Sequence, residues 1–336
     1  MAGTKSAAKR IVPAIQVARL RHLSRPYQRA AAILWSSRPA SSLPRKGRLK
    51  YTTCMNIQPT LPDDILQAFN VSVPVLVDTT KIANIWKVIR PDGHPAALKV
   101  YHQQNMKNER PGLAFLSALD GCAAARVLKV TKGEVLLEWL NGPSLGDLTR
   151  QGRDIEASAI LACVANKIHS EDRDIKAELP HISQWLQPLF DLQLSHHVSA
   201  QSRCDMLYCQ NVARRLLASQ TQVRPLHGDL HHDNIRLGAR GYCAFDAKGV
   251  LGEKTYELAN AFRNPKGASR IVQSPDRVDY LAKTWSHVFG VEQVRLLEWA
   301  MVKIALSISW RSGGQLEDDP DLSFLSMFRA ITLKNH

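Results

Sequence analysis

Apolar residues in this chain fall into two regimes. Between residues 72 and 100 they come in short runs, "VSVPVLVDTT" and then "NIWKVIRPDGHPAALKVY". The Pro-Asp-Gly-His tetrad between two apolar runs predicts a turn, and hence a β-hairpin. Residues 105–120, "NMKNERPGLAFLSALD", predict a helix with Pro111 and Gly112 at a kink or at its start, since proline has no amide hydrogen for a helix interior. Strand character returns over 125–140, "ARVLKVTKGEVLLEWL", around a Thr-Lys-Gly turn. From Ile155 onward the spacing is helical: Ile160, Leu161, Val164 and Ile168 recur in one segment, Met206, Val212, Leu216 and Leu217 in another. A polar stretch at 225–249, "PLHGDLHHDNIRLGARGYCAFDAKG", interrupts this second regime. The order predicts an α+β chain in which a small β-rich part with one helix precedes a larger, mostly helical part.

Composition changes this picture at one end only. An apolar share of 45% over 336 residues is enough for a substantial core. The formal charge of +14 is unevenly placed, because residues 1–62 hold 12 of the 44 Lys/Arg and none of the 30 Asp/Glu. The body is therefore nearly neutral, and no nucleic-acid groove is expected in it. Residues 1–54, rich in Arg, Ala and Ser, have the composition of an organellar transit peptide. They read equally as a basic disordered leader, the reading adopted, or as a stretch upstream of a working start at Met55. Six scattered cysteines without a C-x-x-C pair fit a reducing cytoplasm. No apolar run approaches the roughly 18 residues of a membrane span.

The polar stretch carries the chemistry. Asn234 follows Asp229 by five residues and Asp246 follows it by 17. Two carboxylates and an amide are oxygen donors of the kind a hard cation such as Mg²⁺ takes when it also binds phosphate. The competing reading is a zinc hydrolase site on His227, His231 and His232. Such a site draws further ligands from distant loops, and beyond residue 232 only His287 and His336 remain.

"HGDLHHDN" followed by "FDAKG" resembles the catalytic and metal loops of the aminoglycoside phosphotransferase family, which has the protein-kinase-like fold. The continuation "GVLGEKTYELANAFRNP" is similar to the streptomycin 6-kinase and hydroxyurea phosphotransferase branch, and the resemblance runs from about Val73 into the C-terminal region. It implies a bilobal chain: a β-rich nucleotide-binding N-lobe over 55–137 and a helical C-lobe over 138–336. It implies ATP and Mg²⁺ as cofactors and a small-molecule alcohol as acceptor, with streptomycin-like aminocyclitols nearest. Asp229 takes the catalytic-base position, Asn234 and Asp246 the metal positions, and His227 braces the loop. Lys99 in "AALKV" is the strand lysine that meets the nucleotide phosphates, with Glu109 as its partner. "LLEWLNGPSL" is the hinge, where the backbone of Glu138 to Leu140 meets the adenine edge.

The loop "DTTKIANIWKV" lacks the glycines of a protein-kinase phosphate loop, Ala247 replaces a frequent proline, and Glu257 stands where many relatives carry aspartate. A housekeeping sugar or amino alcohol is the alternative acceptor, and a non-catalytic nucleotide-binding module the alternative of another class. The acidic run Glu317, Asp318, Asp319 and Asp321 reads as a solvated loop, or as an attractor for a polycationic acceptor.

Overall fold

The computed structural model describes residues 59–103, 106, 109–175 and 177–336; the leader at 1–54 and the Met55 start lie outside them. Helix α1 (Asp63–Phe69) leads into β1 (Ser72–Thr79), β2 (Ala83–Ile89) and β3 (Pro95–Tyr101). The predicted hairpin is β2–β3, in antiparallel register from Ala83↔Tyr101 to Ile89↔Pro95. Helix α2 (Arg110–Leu119) follows, with Pro111 in its first turn, so the proline starts the helix and does not kink it. Strands β4 (Val127–Val130) and β5 (Glu134–Glu138) complete a five-stranded sheet of order β1-β2-β3-β5-β4.

Strand alternation divides β3 between two environments. Ala96 and Leu98 pack with Trp86, Val88 and Leu136 against Leu61 and Phe69 of the α1 segment. Tyr101 joins Ala83, Met106 and Val135 in a second cluster against Leu113 of α2. Lys99, two residues before Tyr101, is thereby carried on the α2 side, its ammonium 5.2 Å from the Tyr101 ring centroid.

The helical part begins with α3 (Leu145–Arg150), opened by a reciprocal cap in which the Asp147 amide donates to Ser144 Oγ at 3.0 Å and the Ser144 amide to Asp147 Oδ2 at 2.9 Å. Next come α4 (Asp154–Ile168), α5 (Ile182–Phe190), β6 (Gln193–Leu194), α6 (Ala200–Ala218) and β7 (Val223–Leu226). A 3₁₀ turn (His232–Asn234) precedes the hairpin β8 (Ile235–Gly238) and β9 (Gly241–Ala244). Strand β10 (Val250–Glu253) pairs antiparallel with β7, a ten-residue 3₁₀ stretch (Lys254–Arg263) follows, and α7 (Ser269–Val272), α8 (Pro275–Phe289), α9 (Gln293–Ser312), β11 (Gln315–Leu316) and α10 (Leu322–Lys334) end the chain. Every residue of α9 from Leu296 to Ser309 is buried, as expected of a helix surrounded by others. None of the described helices is long and apolar enough to cross a membrane.

Two local pairings make the polar stretch a unit. The β8–β9 hairpin sets Asn234 beside Phe245, whose amide donates to the Asn234 carbonyl at 2.9 Å, and so brings Asp246 next to the catalytic-loop motif. The β7–β10 pair closes the other side, where the Lys248 amide donates to the His227 carbonyl at 2.8 Å. The first turn of α2 rests directly on this loop: a Cβ on Gly112 would lie 1.8 Å from the Ala247 carbonyl oxygen, and one on Gly249 2.2 Å from that of Pro111. Gly112→Ala is accordingly expected to cost about 1–3 kcal/mol through overpacking. The same substitution should pry α2 from the loop, read as a lower urea midpoint together with weaker nucleotide binding.

Candidate active site

Lys99, Glu109 and Asp246 meet, together with a residue the sequence reading passed over, Lys248. Lys99 Nζ lies 2.6 Å from Glu109 Oε2 and 3.5 Å from Asp246 Oδ1, while Lys248 Nζ lies 3.0 Å from Glu109 Oε1 and 3.4 Å from Asp246 Oδ2. The four charges alternate around a ring. Burial disfavours the charge on Lys99, but Asp246 and Glu109 outweigh it and raise its pKa above the ordinary lysine value. Burial likewise works against Asp246, yet Lys248 and Lys99 hold its carboxyl below the usual carboxylate range. Lys99, Lys248 and Asp246 are therefore ionised at neutral pH. The backbone of Asp246 is left-handed at φ +58°, a conformation aspartate tolerates better than most residues, and it aims the carboxylate back at the sheet.

Asp229 lies beside this ring on the loop between β7 and the 3₁₀ turn, held from three directions. Asn260 Nδ2 donates to Asp229 Oδ1 at 2.7 Å, and the Asp229 amide donates to His227 Nδ1 at 3.3 Å. Asn234 Nδ2 donates to the Asp229 carbonyl at 3.0 Å and approaches Oδ2 at 3.4 Å. With its amide nitrogen so directed, Asn234 offers Oδ1, which has no donor among the described residues. That oxygen and the Asp246 carboxylate, contacted by lysines only at 3.4–3.5 Å, form a donor set suited to a magnesium ion that completes its shell with phosphate and water.

The three imidazoles are struts. His227 accepts from the Asp229 amide through Nδ1 and donates from Nε2 to the Phe245 carbonyl at 3.0 Å, which ties the catalytic loop to the metal loop. His231 Nδ1 accepts from the Asp233 amide at 3.2 Å, and His232 Nε2 lies 3.4 Å from Ser158 Oγ. Burial pushes all three below the ordinary histidine value, His231 to about 4, so they are neutral at pH 7. Among the described residues no group of three or more His, Cys, Asp or Glu is arranged to hold a metal ion, which removes the zinc reading.

Glu257 is the anchor of the loop. Its fully buried carboxylate accepts from the His227 amide at 2.9 Å, the Gly228 amide at 3.1 Å and His169 Nε2 at 2.7 Å. Gly228, at φ +77°, supplies the turn that points both amides the same way. The glutamate that replaces the relatives' aspartate thus carries a structural role.

At the hinge, the Glu138 amide donates to the Arg126 carbonyl at 2.9 Å, and its carboxylate pairs with Arg240. The Glu138 N–H is therefore committed to the protein. Leu140 is buried with Ala125 and Cys243 against Phe245, an apolar cluster beside Asp246. In the segment after β1, the amides of Ile82 and Ala83 donate to Thr80 Oγ1 at 3.3 and 3.0 Å, so side-chain capping consumes donors that a glycine loop would turn toward phosphate. The acidic run is only partly solvated: Asp319 is buried and paired with Arg311 at 2.6 Å, and Asp321 pairs with Arg311 and Arg263 at 2.8 and 3.0 Å. A cleft of about 610 Å³ opens next to the charge ring, lined by Glu109, Lys248, Gln184, Trp185, Pro188 and Trp310 among others.

Burial alone would raise the Glu257 carboxyl, but the hydrogen bonds from His169 and from the His227 amide keep it below the ordinary glutamate value. A depressed folded-state pKa stabilises the fold fully above the unfolded value of about 4.3, and that stabilisation fades as pH falls through the folded one. Glu257→Ala should cost about 3 kcal/mol at pH 7, since two amides lose their acceptor. The gap between the variant and the parent should narrow below pH 4 in urea titrations.

The model for the aminoglycoside/hydroxyurea antibiotic resistance kinases matches residues 69–314. Streptomycin 3''-kinase of Klebsiella pneumoniae is 35% identical over 230 residues, covering 67% of this chain and 83% of that protein. Two solved structures share the fold at low identity. A choline/ethanolamine kinase family protein from Mesorhizobium loti aligns with TM-score 0.55 at 12% identity, over 80% of this chain and 88% of the other. A thermostable mutant of an aminoglycoside phosphotransferase in complex with ADP and hygromycin B aligns with TM-score 0.54 at 11% identity, over 81% and 97%. Those two likenesses establish a protein-kinase-like fold and nothing finer. The match over residues 69–314, together with the identity to the streptomycin kinase, shows that the chain belongs to the aminoglycoside/hydroxyurea antibiotic resistance kinase family.

Proposed function

We propose that this kinase moves the γ-phosphoryl group of ATP to a ring hydroxyl of a streptomycin-like aminocyclitol, at a site between a nucleotide-binding lobe over 55–137 and an acceptor-binding lobe over 138–336. The observation that carries the reading is the convergence of Lys99, Asp246 and the Asp229–Asn234 loop, with 3.5 Å between Lys99 Nζ and Asp246 Oδ1 and the Phe245 amide donating to the Asn234 carbonyl at 2.9 Å. Phosphoryl transfer asks little covalent chemistry of a protein, so each group acts by position and charge. Lys99, oriented by Glu109, meets the nucleotide phosphates, while the adenine lies toward Leu140 with the backbone of the 138–140 segment along its edge. Asn234 Oδ1 and Asp246 would hold magnesium, which would offset the charge of the phosphates.

Asp229 accepts the proton of the acceptor hydroxyl. Asn260 holds its Oδ1 at 2.7 Å, and Oδ2, which Asn234 Nδ2 approaches only at 3.4 Å, faces the substrate. Lys248 balances Glu109 and Asp246 before nucleotide arrives, and its ammonium then faces the phosphate oxygens. The acceptor enters through the cleft bounded by Trp185 and Trp310.

Transfer of label from [γ-³²P]ATP to streptomycin, with the phosphate located by NMR, tests the reading directly. A chain that binds ATP and labels no aminocyclitol, sugar or amino alcohol would be a nucleotide-binding module, and label on a sugar or amino alcohol alone would reassign the acceptor. Asp229→Asn is expected to lower kcat by about 10²–10⁴-fold while the KM for ATP stays within about threefold. Asp246→Ala should instead raise the magnesium concentration at half-maximal rate, an effect that excess magnesium partly reverses.

A further inference from the structure

One charge in the core is left unused by this chemistry. Lys303 sits midway along α9 and is 2% exposed, yet its ammonium makes no hydrogen bond or ion pair among the described residues. Its ammonium lies among aromatic rings instead, 4.5 Å from the Trp310 centroid and 5.9 Å from those of Trp185 and Tyr256. Cation–π attraction offsets part of the desolvation of such a charge and leaves its three N–H donors unmatched. Two polar atoms of the facing 3₁₀ stretch, the Tyr256 hydroxyl and Asn260 Oδ1, are buried without a hydrogen-bond partner.

Native interiors rarely leave polar atoms unpaired, and two such atoms facing an ammonium that has only aromatic neighbours call for an occupant. All three lie close to the proposed reacting point. Asn260 is itself bonded to Asp229, and the field of Asp229 acts on both Lys303 and Tyr256. The two tryptophans over Lys303 pack edge to face at 5.8 Å and line the open cleft.

The unmatched set consists of an ammonium, a phenolic O–H and an amide carbonyl. Two of these donate and two accept, the phenol doing both. A ring hydroxyl or ether oxygen accepts from Lys303 or Tyr256, and a hydroxyl hydrogen donates to Asn260. A second ammonium at this depth would instead meet the like charge of Lys303 in a place of low polarity. We propose that Lys303, Tyr256 and Asn260 form an acceptor subsite that takes the oxygen-bearing edge of the substrate ring, with the substrate's charged nitrogens kept at the mouth of the cleft. This assignment rests on the phosphotransferase reading above and adds the orientation of the acceptor.

Burial pushes the Lys303 amine down to about 8; Asp229 opposes the shift, Arg263 and Lys248 add to it, and His231 also lies within its field. Below that value the ammonium is present, and above it two donors remain without charge. The KM for the acceptor should therefore climb as pH rises through about 8 in the parent enzyme.

The test uses the full chain with streptomycin and ATP as substrates. Lys303→Met should raise the KM for streptomycin about tenfold or more and flatten its pH profile, with the KM for ATP within about twofold of the parent. Tyr256→Phe, which removes only an unpartnered oxygen, should raise the same KM about threefold without lowering the melting temperature. It carries the test by itself if Lys303→Met does not fold. A streptomycin KM unchanged in both variants, or one that rises in step with the KM for ATP, overturns the subsite and leaves the phosphotransferase reading standing. Absence of transfer by the parent to any hydroxylated acceptor removes that reading, and the subsite with it.

Discussion

The structure around the site depends on the ring of alternating charges formed by Lys99, Glu109, Lys248 and Asp246. Its corners come from β3, from the residue before α2, and from the loop after β9, so one electrostatic closure ties the sheet to the helical part. A buried cation or anion by itself is expensive, whereas an alternating ring is neutral as a whole and each charge has two opposite neighbours. Removing any corner leaves its neighbours half-paired in a place of low polarity. The backbone contacts of Gly112 and Gly249 keep α2 close enough for the ring to close.

The ring needs a stiff loop beneath it, and buried polar groups supply the stiffness. Glu257 gathers two successive amides and His169, and His227 spans from the Asp229 amide to the Phe245 carbonyl. A histidine pushed toward neutrality by burial can accept at one ring nitrogen while donating from the other, which suits a brace better than a charged side chain would. The density of imidazoles in this stretch thus reflects bracing of the loop that carries Asp229 and Asn234.

The elements and the principal residues were readable from the chain because their signals are local. The Pro-Asp-Gly-His turn, the "AALKV" run that carries Lys99 just after it, and the five-residue step from Asp229 to Asn234 are each confined to a few positions. What escaped depends on contacts remote in sequence. Lys248 lies inside the motif itself, but its link to Glu109 spans 139 positions, and a lysine beside a turn reads as solvated. Asn260 meets Asp229 across 31 positions. Lys303 left a faint local trace, a lone cation within "LLEWAMVKIALSISW", which becomes meaningful only once α9 is seen to be buried on all sides. The acidic run at 317–321 read as solvated because its arginine partners Arg311 and Arg263 come from another helix and from the 3₁₀ stretch.

The placement of α9 bears on how the chain reaches its native state. This helix packs on α5, α6, α8, α10 and the 3₁₀ stretch, yet in chain order it follows all of them except α10. The earlier helices therefore emerge during synthesis with their apolar faces uncovered, and the interior can close only after residue 312 has been made. Completion of this core is a late event on the ribosome's timetable, and a nascent chain stalled before α9 would be a natural client for chaperones.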